Sequence, residues 1–239
     1  MLEGRKVVVL VPAYDEAPRI GRVLHSMPPW VDHVVVVDDA SRDGTGERAR
    51  KLGDERVEVL SHGVNRGVGA AIVTGYRRSL ALTHAPHDAV AVMAGDAQMD
   101  PTNLEDVVRP VVTGQAGYVK GNRFAWPGAR RAMPVTRWLA GQVLSRLTSA
   151  AIGRPIHDSQ CGYTALSREA CSRLDFSALW PRYGYPNDLL GHLARRDVSI
   201  AEVPVRPVYA DEVSGVRARH AMTVLWLVGR AWVRSQAQE

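Results

Sequence analysis

The chain has 239 residues, of which 46% are hydrophobic and 23% charged, enough to bury one substantial core. A formal net charge of +5 and a sequence pI near 9.5 favour an anionic partner: nucleotide, nucleic acid, phospholipid or phosphorylated substrate. No stretch reaches the roughly 18 apolar residues that span a bilayer. Two cysteines, Cys161 and Cys171, make neither a disulfide framework nor a spaced metal set, so a reducing, cytoplasmic setting is expected.

In chain order, Lys6 to Val11 reads as a buried strand, broken by Pro12 and too short for a secretory signal peptide. Arg19 to Met27 has helical spacing and stops at Pro28-Pro29. His33 to Val37 is a second strand running into Asp38-Asp39-Ala-Ser-Arg-Asp-Gly-Thr, where Ser41 or Asp43 can cap the next helix. Arg56 to Leu60 is a third strand. Asn65-Arg-Gly-Val-Gly-Ala opens a helix to about Leu82, its glycines suited to an approaching anion or to close packing on a sheet. Strands alternating with helices predict a three-layer α/β/α sandwich with a mostly parallel sheet.

Asp88 to Ala94 reads as a fourth strand, ending on Gly95 with Asp96, Gln98 and Pro101 behind it. In extended backbone Asp96 and Gln98 leave on the same side. An acid and an amide oxygen at a strand's C-terminal edge suit a hard divalent cation, although such a sequence can equally make only a turn. Helix follows over Asn103 to Val112 and strand over Tyr118 to Lys120. Residues 130–151 are the longest amphipathic candidate. Further helices are expected over Ser167 to Leu174 and, capped by Asn187 or Asp188, to about Arg196. Val198 to Val205 is a late strand. The final helix runs from about Ala218 to Ser235, with Met222, Leu225, Trp226, Gly229 and Trp232 on one face.

The charge is unevenly spread. No carboxylate occurs between Asp106 and Asp158, an interval that holds Arg109, Lys120, Arg123, Arg130, Arg131, Arg137, Arg146 and Arg154. It carries no nucleic-acid recognition motif and no basic-aromatic stacking platform, so nucleic acid is not expected as the partner.

Four segments in order resemble the family 2 inverting glycosyltransferases: Pro12-Ala-Tyr-Asp-Glu, Val37-Asp-Asp-Ala-Ser-Arg-Asp-Gly-Thr, Asn65-Arg-Gly-Val-Gly-Ala and Asp96-Ala-Gln. Within that family the chain looks most like the dolichyl-phosphate mannosyltransferase-like branch, the polyprenyl-phosphate sugar transferases. The resemblance implies a single GT-A catalytic domain over 1–239. Its nucleotide-sugar-binding half would be 1–110, its acceptor-binding half 111–217 and its C-terminal amphipathic helix 218–239. It implies a nucleotide-diphospho-sugar donor held by Pro12, Tyr14, Glu16, Val37, Asp39 and Asn65. It also implies a divalent cation, Mg2+ or Mn2+, on Asp96 and Gln98. The family motif is Asp-x-Asp-x-Gln, and Ala94 stands here in place of the first acid.

The same resemblance places Arg123 and Arg137 on an acceptor phosphate, with Arg206 and Arg217 closing over the diphosphate. Guanidinium forks suit phosphate. Asp188 stands where many members carry a base. A hydroxyl acceptor needs such a base. A phosphate with a second pKa near 6 does not. A soluble hydroxyl acceptor with Asp188 as base, and a non-catalytic nucleotide-sugar-binding relative, are the alternatives. A polyprenyl acceptor would bring the protein to the inner face of the membrane, and the last helix offers the means: its apolar face either lies in that interface or packs on the protein's own core.

Overall fold

Alternation along β1 (Val7–Ala13) sets the layering. Val7, Val9 and Val11 belong to one buried cluster, and Val8 and Leu10 to another on the opposite face of the sheet. A strand covered on both sides has no polar face to show. The computed structural model describes residues 1–208 and 218–236.

After β1 come α1 (Ala17–His25), β2 (His33–Asp38), α2 (Thr45–Arg50), β3 (Val57–Ser61) and α3 (Val68–Leu82). Then follow β4 (Ala89–Val92), α4 (Leu104–Val112), β5 (Tyr118–Asn122), α5 (Ala129–Ala132) and α6 (Val135–Ile152). The chain continues through β6 (Thr164–Ser167), α7 (Arg168–Ser172), α8 (Tyr185–Ala194), β7 (Ile200–Pro204) and α9 (Ala218–Gln236). The strands form one seven-stranded sheet in the order β3-β2-β1-β4-β6-β5-β7, in which β6 alone runs antiparallel to its neighbours. Residues of α1, α2 and α4 pack on one face, and residues of α3, α7 and α8 on the other. Both α6 and α9 lie against α8 and against each other.

One strand was not foreseen, and two expectations are corrected. Strand β6 has only four residues and merges at Ser167 into the cap of α7, whose Ala170 amide it binds at 3.1 Å, too short a run to show a period. The 130–151 segment divides at Pro134 into α5 and α6, because proline cannot continue a helix through that point. Helices α2 and α8 start behind Gly44 (φ 84°) and Gly184 (φ 97°) rather than behind Ser41, Asp43, Asn187 or Asp188; a left-handed glycine makes the turn that a side-chain cap would otherwise make.

Both cysteines are buried free thiols, and burial pushes the Cys171 thiol up to about 12. Among the described residues no helix is long and apolar enough to cross a membrane.

Candidate active site

The sheet's C-terminal edge opens into a cavity of about 890 Å3. Pro12, Ala13 and Tyr14 reach it from the end of β1, Asp39 from the end of β2, and Ala94, Gly95 and Asp96 from the end of β4. Asn65, Gly67 and Val68 close one side, while Trp180, Arg182, Tyr183 and Thr223 form the far wall. Ligands of open α/β sheets bind in this position. Pro12, Tyr14, Glu16, Asp39 and Asn65, expected from sequence to face a nucleotide, all line the cavity. Val37 does not. Its side chain is fully buried in the core with Leu10, Ile72 and Tyr76, because the strand's alternation turns it under the cavity floor.

Asp39 is buried and organises the loop opposite. One carboxylate oxygen lies 2.6 Å from His62 Nδ1 and accepts the Arg66 amide at 2.9 Å. The other accepts the Gly67 amide at 2.7 Å. His62 Nε2 is 2.9 Å from Thr74 Oγ1 on α3. Asp39 therefore both lines the cavity and fixes the turn that starts α3. The neighbouring acids Asp38 and Asp43 serve the backbone: Asp38 accepts the Ser41 amide at 3.0 Å, and Asp43 accepts the Ala17 amide at 2.8 Å and the Thr45 amide at 3.0 Å.

The glycines of Asn65-Arg-Gly-Val-Gly have a reason that sequence reasoning missed. A Cβ on Gly67 or Gly69 would strike the backbone of Trp180, Pro181 and Arg182, and the Ala70 amide donates to Pro181 O at 2.9 Å. They admit the cavity's far wall. The glycine that lets α3 pack closely on the sheet is Gly75, whose Cβ would collide with Leu10.

Asp96 and Gln98 lie on a turn, not on extended backbone. Ala97 is left-handed (φ 59°), and Asp96 Oδ1 accepts the Gln98 amide at 2.9 Å. Asp15 (φ 54°) and Ala40 (φ 64°) are left-handed too, so the loops after β1, β2 and β4 all hold a sparsely populated backbone at the cavity rim, as functional sites often do. Asp96, Val68 and Tyr183 are also shared with a second cavity of about 290 Å3, which adds Gln98, Met99, Arg123 and Gln160.

Among the described residues no group of three His, Cys, Asp or Glu side chains could hold a metal. Asp96 lines both cavities and Gln98 the smaller one, so an acid and an amide stand near their boundary. That donor set fits Mg2+ or Mn2+ only when a ligand in the larger cavity contributes further oxygens.

Arg123 borders the second cavity and forks onto the fully buried Asp158, with Nε–Oδ2 at 2.8 Å and Nη2–Oδ1 at 2.9 Å. Burial raises the Asp158 pKa, but the charges of Arg123 and Lys120 and the Arg123 hydrogen bonds outweigh it and hold the carboxyl below its usual value. Lys120 is fully buried and donates to Cys161 O. Burial lowers its pKa, with partial relief from Asp158. Burial likewise raises the Tyr183 hydroxyl, opposed by the charges of Arg123 and Arg137. Arg123 borders the smaller cavity, whereas Arg137 lines neither. Arg206 is exposed, lies 3.5 Å from Asp100 Oδ2, and lines neither cavity. Arg217 lies outside the described residues.

Asp188 is buried on the fourth residue of α8 and lines neither cavity. It accepts the Trp180 amide at 2.7 Å and pairs with Arg230 of α9. No sequence signal pointed to Asp158 or Arg230 as partners; each meets its mate across tens of residues of chain.

A profile of glycosyl transferase family 2 matches residues 8–175. The chain is 27% identical to the UDP-N-acetylglucosamine--dolichyl-phosphate N-acetylglucosaminyltransferase of Methanococcus voltae, over 92% of each chain. It is 30% identical to the polyprenol monophosphomannose synthase of Mycolicibacterium smegmatis, over 91% of this chain and 84% of that one. Glucosyl-3-phosphoglycerate synthase from Mycobacterium tuberculosis, solved with Mn2+, uridine diphosphate and phosphoglyceric acid, superposes with a TM-score of 0.71 at 25% identity. That match covers 96% of this chain and 79% of the other. Taken with the cavity at the strand ends, these matches show that the chain belongs to glycosyl transferase family 2 and has the GT-A fold.

Proposed function

We propose that the protein transfers a sugar, with inversion, from a nucleoside-diphosphate sugar to a polyprenyl phosphate. The observation that carries this reading is the shared wall. Asp96 and Tyr183 border both a large cavity lined by the expected nucleotide-binding side chains and a smaller one bordered by Arg123. A donor seated in the first puts its diphosphate and anomeric carbon at the boundary, where an anionic acceptor in the second can attack. The named relatives in Methanococcus and Mycolicibacterium support a lipid-phosphate acceptor.

The chain's residues divide the work. Tyr14, Glu16, Asp39 and Asn65 recognise base and ribose. Arg123 and Arg137 hold the acceptor phosphate, Arg123 aimed by Asp158. The acceptor oxygen is already ionised near neutral pH, so no side chain need take its proton. The buried, doubly bonded state of Asp188 agrees with that, and disfavours a hydroxyl acceptor. A divalent cation on Asp96 and Gln98, bound together with the donor, would neutralise charge on the departing nucleoside diphosphate. In this reading residues 1–110 supply most of the donor site and 111–217 most of the acceptor site, and the enzyme works at the cytoplasmic face of the membrane.

Incubating the protein with labelled UDP- and GDP-sugars and a polyprenyl phosphate, with Mn2+ or with chelator, tests the reading. A metal-dependent, acid-labile lipid-linked sugar of inverted anomeric configuration is expected. Transfer to a soluble hydroxyl compound, with none to the lipid phosphate, would overturn it.

A further inference from the structure

Helix α6 is packed inside out. The residues it turns inward are Gly141, Ser145, Thr148 and Ala151, all buried, whereas Val135, Leu139, Val143 and Leu147 are 42–67% exposed. Recurring every fourth residue, these four lie on one side of the helix. A helix that served only the core would turn its large apolar side chains inward and its small polar ones out.

Helix α9, beside it, is apolar on two sides. It buries Val224, Leu227 and Ala231 and leaves Met222, Leu225, Trp226, Trp232 and Val233 between 43% and 68% exposed. The face expected from sequence is therefore not spent on the protein's own core. Most of the large apolar side chains exposed among the described residues belong to these two adjacent helices. Grouped exposure of this kind marks an interaction surface.

Charge identifies the occupant. Neither helix sequence contains an acid. Exposed Arg130 and Arg131 precede α6 and exposed Arg146 lies on it. A second copy docked face to face would oppose these cations with like charge. An anionic bilayer accepts both the cations and the tryptophans, which suit the headgroup region. The surface also continues into the site. Thr223 of α9 lines the donor cavity, and the Trp226 ring lies 5.4 Å from Trp180 on the cavity wall.

We propose that α6 and α9 together form an apolar, cation-rimmed platform that seats the protein on an anionic lipid surface, with the cavity mouth at the lipid boundary. The purpose assigned to the platform rests on the lipid-phosphate reading above; the platform itself is tested separately.

The full chain is floated with vesicles of phosphatidylcholine alone or with added phosphatidylglycerol. Leu139→Glu and Val143→Glu on α6 and Trp232→Glu on α9 are compared with wild type, with melting curves for each. Val143→Gln serves as a milder variant should a glutamate disturb folding. Wild type should float with the anionic vesicles, less at high salt. Each glutamate variant should lose at least tenfold in binding with unaltered melting, and Val143→Gln a smaller share. Sugar transfer to a short, water-soluble isoprenyl phosphate should be unchanged, while transfer to vesicle-embedded polyprenyl phosphate falls in parallel with binding. Variants that float like wild type would overturn the platform. So would a wild-type dimer in light scattering that the same substitutions convert to monomers, since the occupant would then be a second copy. Absence of transfer to the short acceptor by wild type would sink the lipid-phosphate reading and leave the flotation result standing.

Discussion

The Asp188 carboxylate lies buried between α8 and α9, one oxygen on the Arg230 guanidinium and the other accepting the Trp180 amide at 2.7 Å. Arg230 also stands over the Trp226 ring, 5.1 Å from its centroid. Trp180 lines the donor cavity, so this pair fastens the last helix to the cavity wall. Arg230→Met should destabilise the protein by about 3 kcal/mol, at the lower end for a broken buried pair because Arg230 keeps some solvent contact. Asp188→Asn keeps the acceptor for Trp180 and should cost less. Denaturant melts give the ranking. Asp188→Asn should also retain more than about a tenth of the turnover with a lipid phosphate. A loss of several orders of magnitude would make Asp188 a general base after all. Truncation before residue 218 removes Arg230, Val224 and Leu227 together and should unfold the cavity wall.

A second prediction concerns the absent acid of the metal motif. Ala94 lines the donor cavity next to Gly95 and Asp96, so a carboxylate there reaches the same space. Ala94→Asp should tighten Mn2+ binding to the nucleotide-free protein at least tenfold, because one carboxylate and one amide oxygen make a poor cation site by themselves. Asp96→Ala should abolish the dependence of nucleotide affinity on Mn2+. Isothermal titration reads both. Unchanged Mn2+ affinity in Ala94→Asp would mean that position 94 does not face the cation.

The proposed function gives Asp39 two tasks, recognition and scaffold, and its variants should show both. Asp39→Ala leaves the Arg66 and Gly67 amides and His62 without their acceptor. A stability loss of about 1–2 kcal/mol is expected, since an orphaned buried donor costs about 1–3 kcal/mol and these donors are only partly buried, together with weaker nucleotide binding. His62→Ala cuts the same web without touching the cavity lining and should weaken nucleotide binding far less. Equal loss of nucleotide affinity in both would assign Asp39 to the loop alone.

The sequence showed the layered fold because strands such as Val7 to Val11 and Val34 to Val37 are apolar throughout, a pattern that few other architectures accept. The residues of the larger cavity were legible only through the family resemblance, which pointed to Tyr14, Asp39 and Asn65; each stands just beyond a strand end or before a helix. What escaped is non-local. The two carboxylates Asp158 and Asp188 each meet an arginine far away in sequence, and nothing near either residue marks the partner. Turn geometry escaped as well: Ala97 carries a left-handed backbone that its residue type does not announce. The exposure of α6 was hidden because periodicity finds an apolar stripe without telling whether it faces protein or solvent.

The last prediction separates the two arginines assigned to the acceptor. Arg123 is held in a fork by Asp158 and borders the smaller cavity, whereas Arg137 lines neither cavity. Arg137→Ala should raise the acceptor KM at least tenfold with little change in melting. Arg123→Ala should do the same and also destabilise by about 3–5 kcal/mol, because it strands a fully buried carboxylate. Asp158→Asn should raise the acceptor KM with kcat nearly unchanged, since Arg123 keeps its charge and loses its aim. The pH dependence follows from the direction of the Asp158 shift. Its folded pKa lies below the unfolded value of about 3.9, so its contribution to stability is complete above that value and is lost as pH falls through the folded pKa. Acid melts of wild type should therefore steepen below about pH 4. In Asp158→Asn that part of the acid limb should flatten, with a lower plateau at neutral pH. An acid limb identical in the two proteins would show that Asp158 does not carry the charge that orients Arg123.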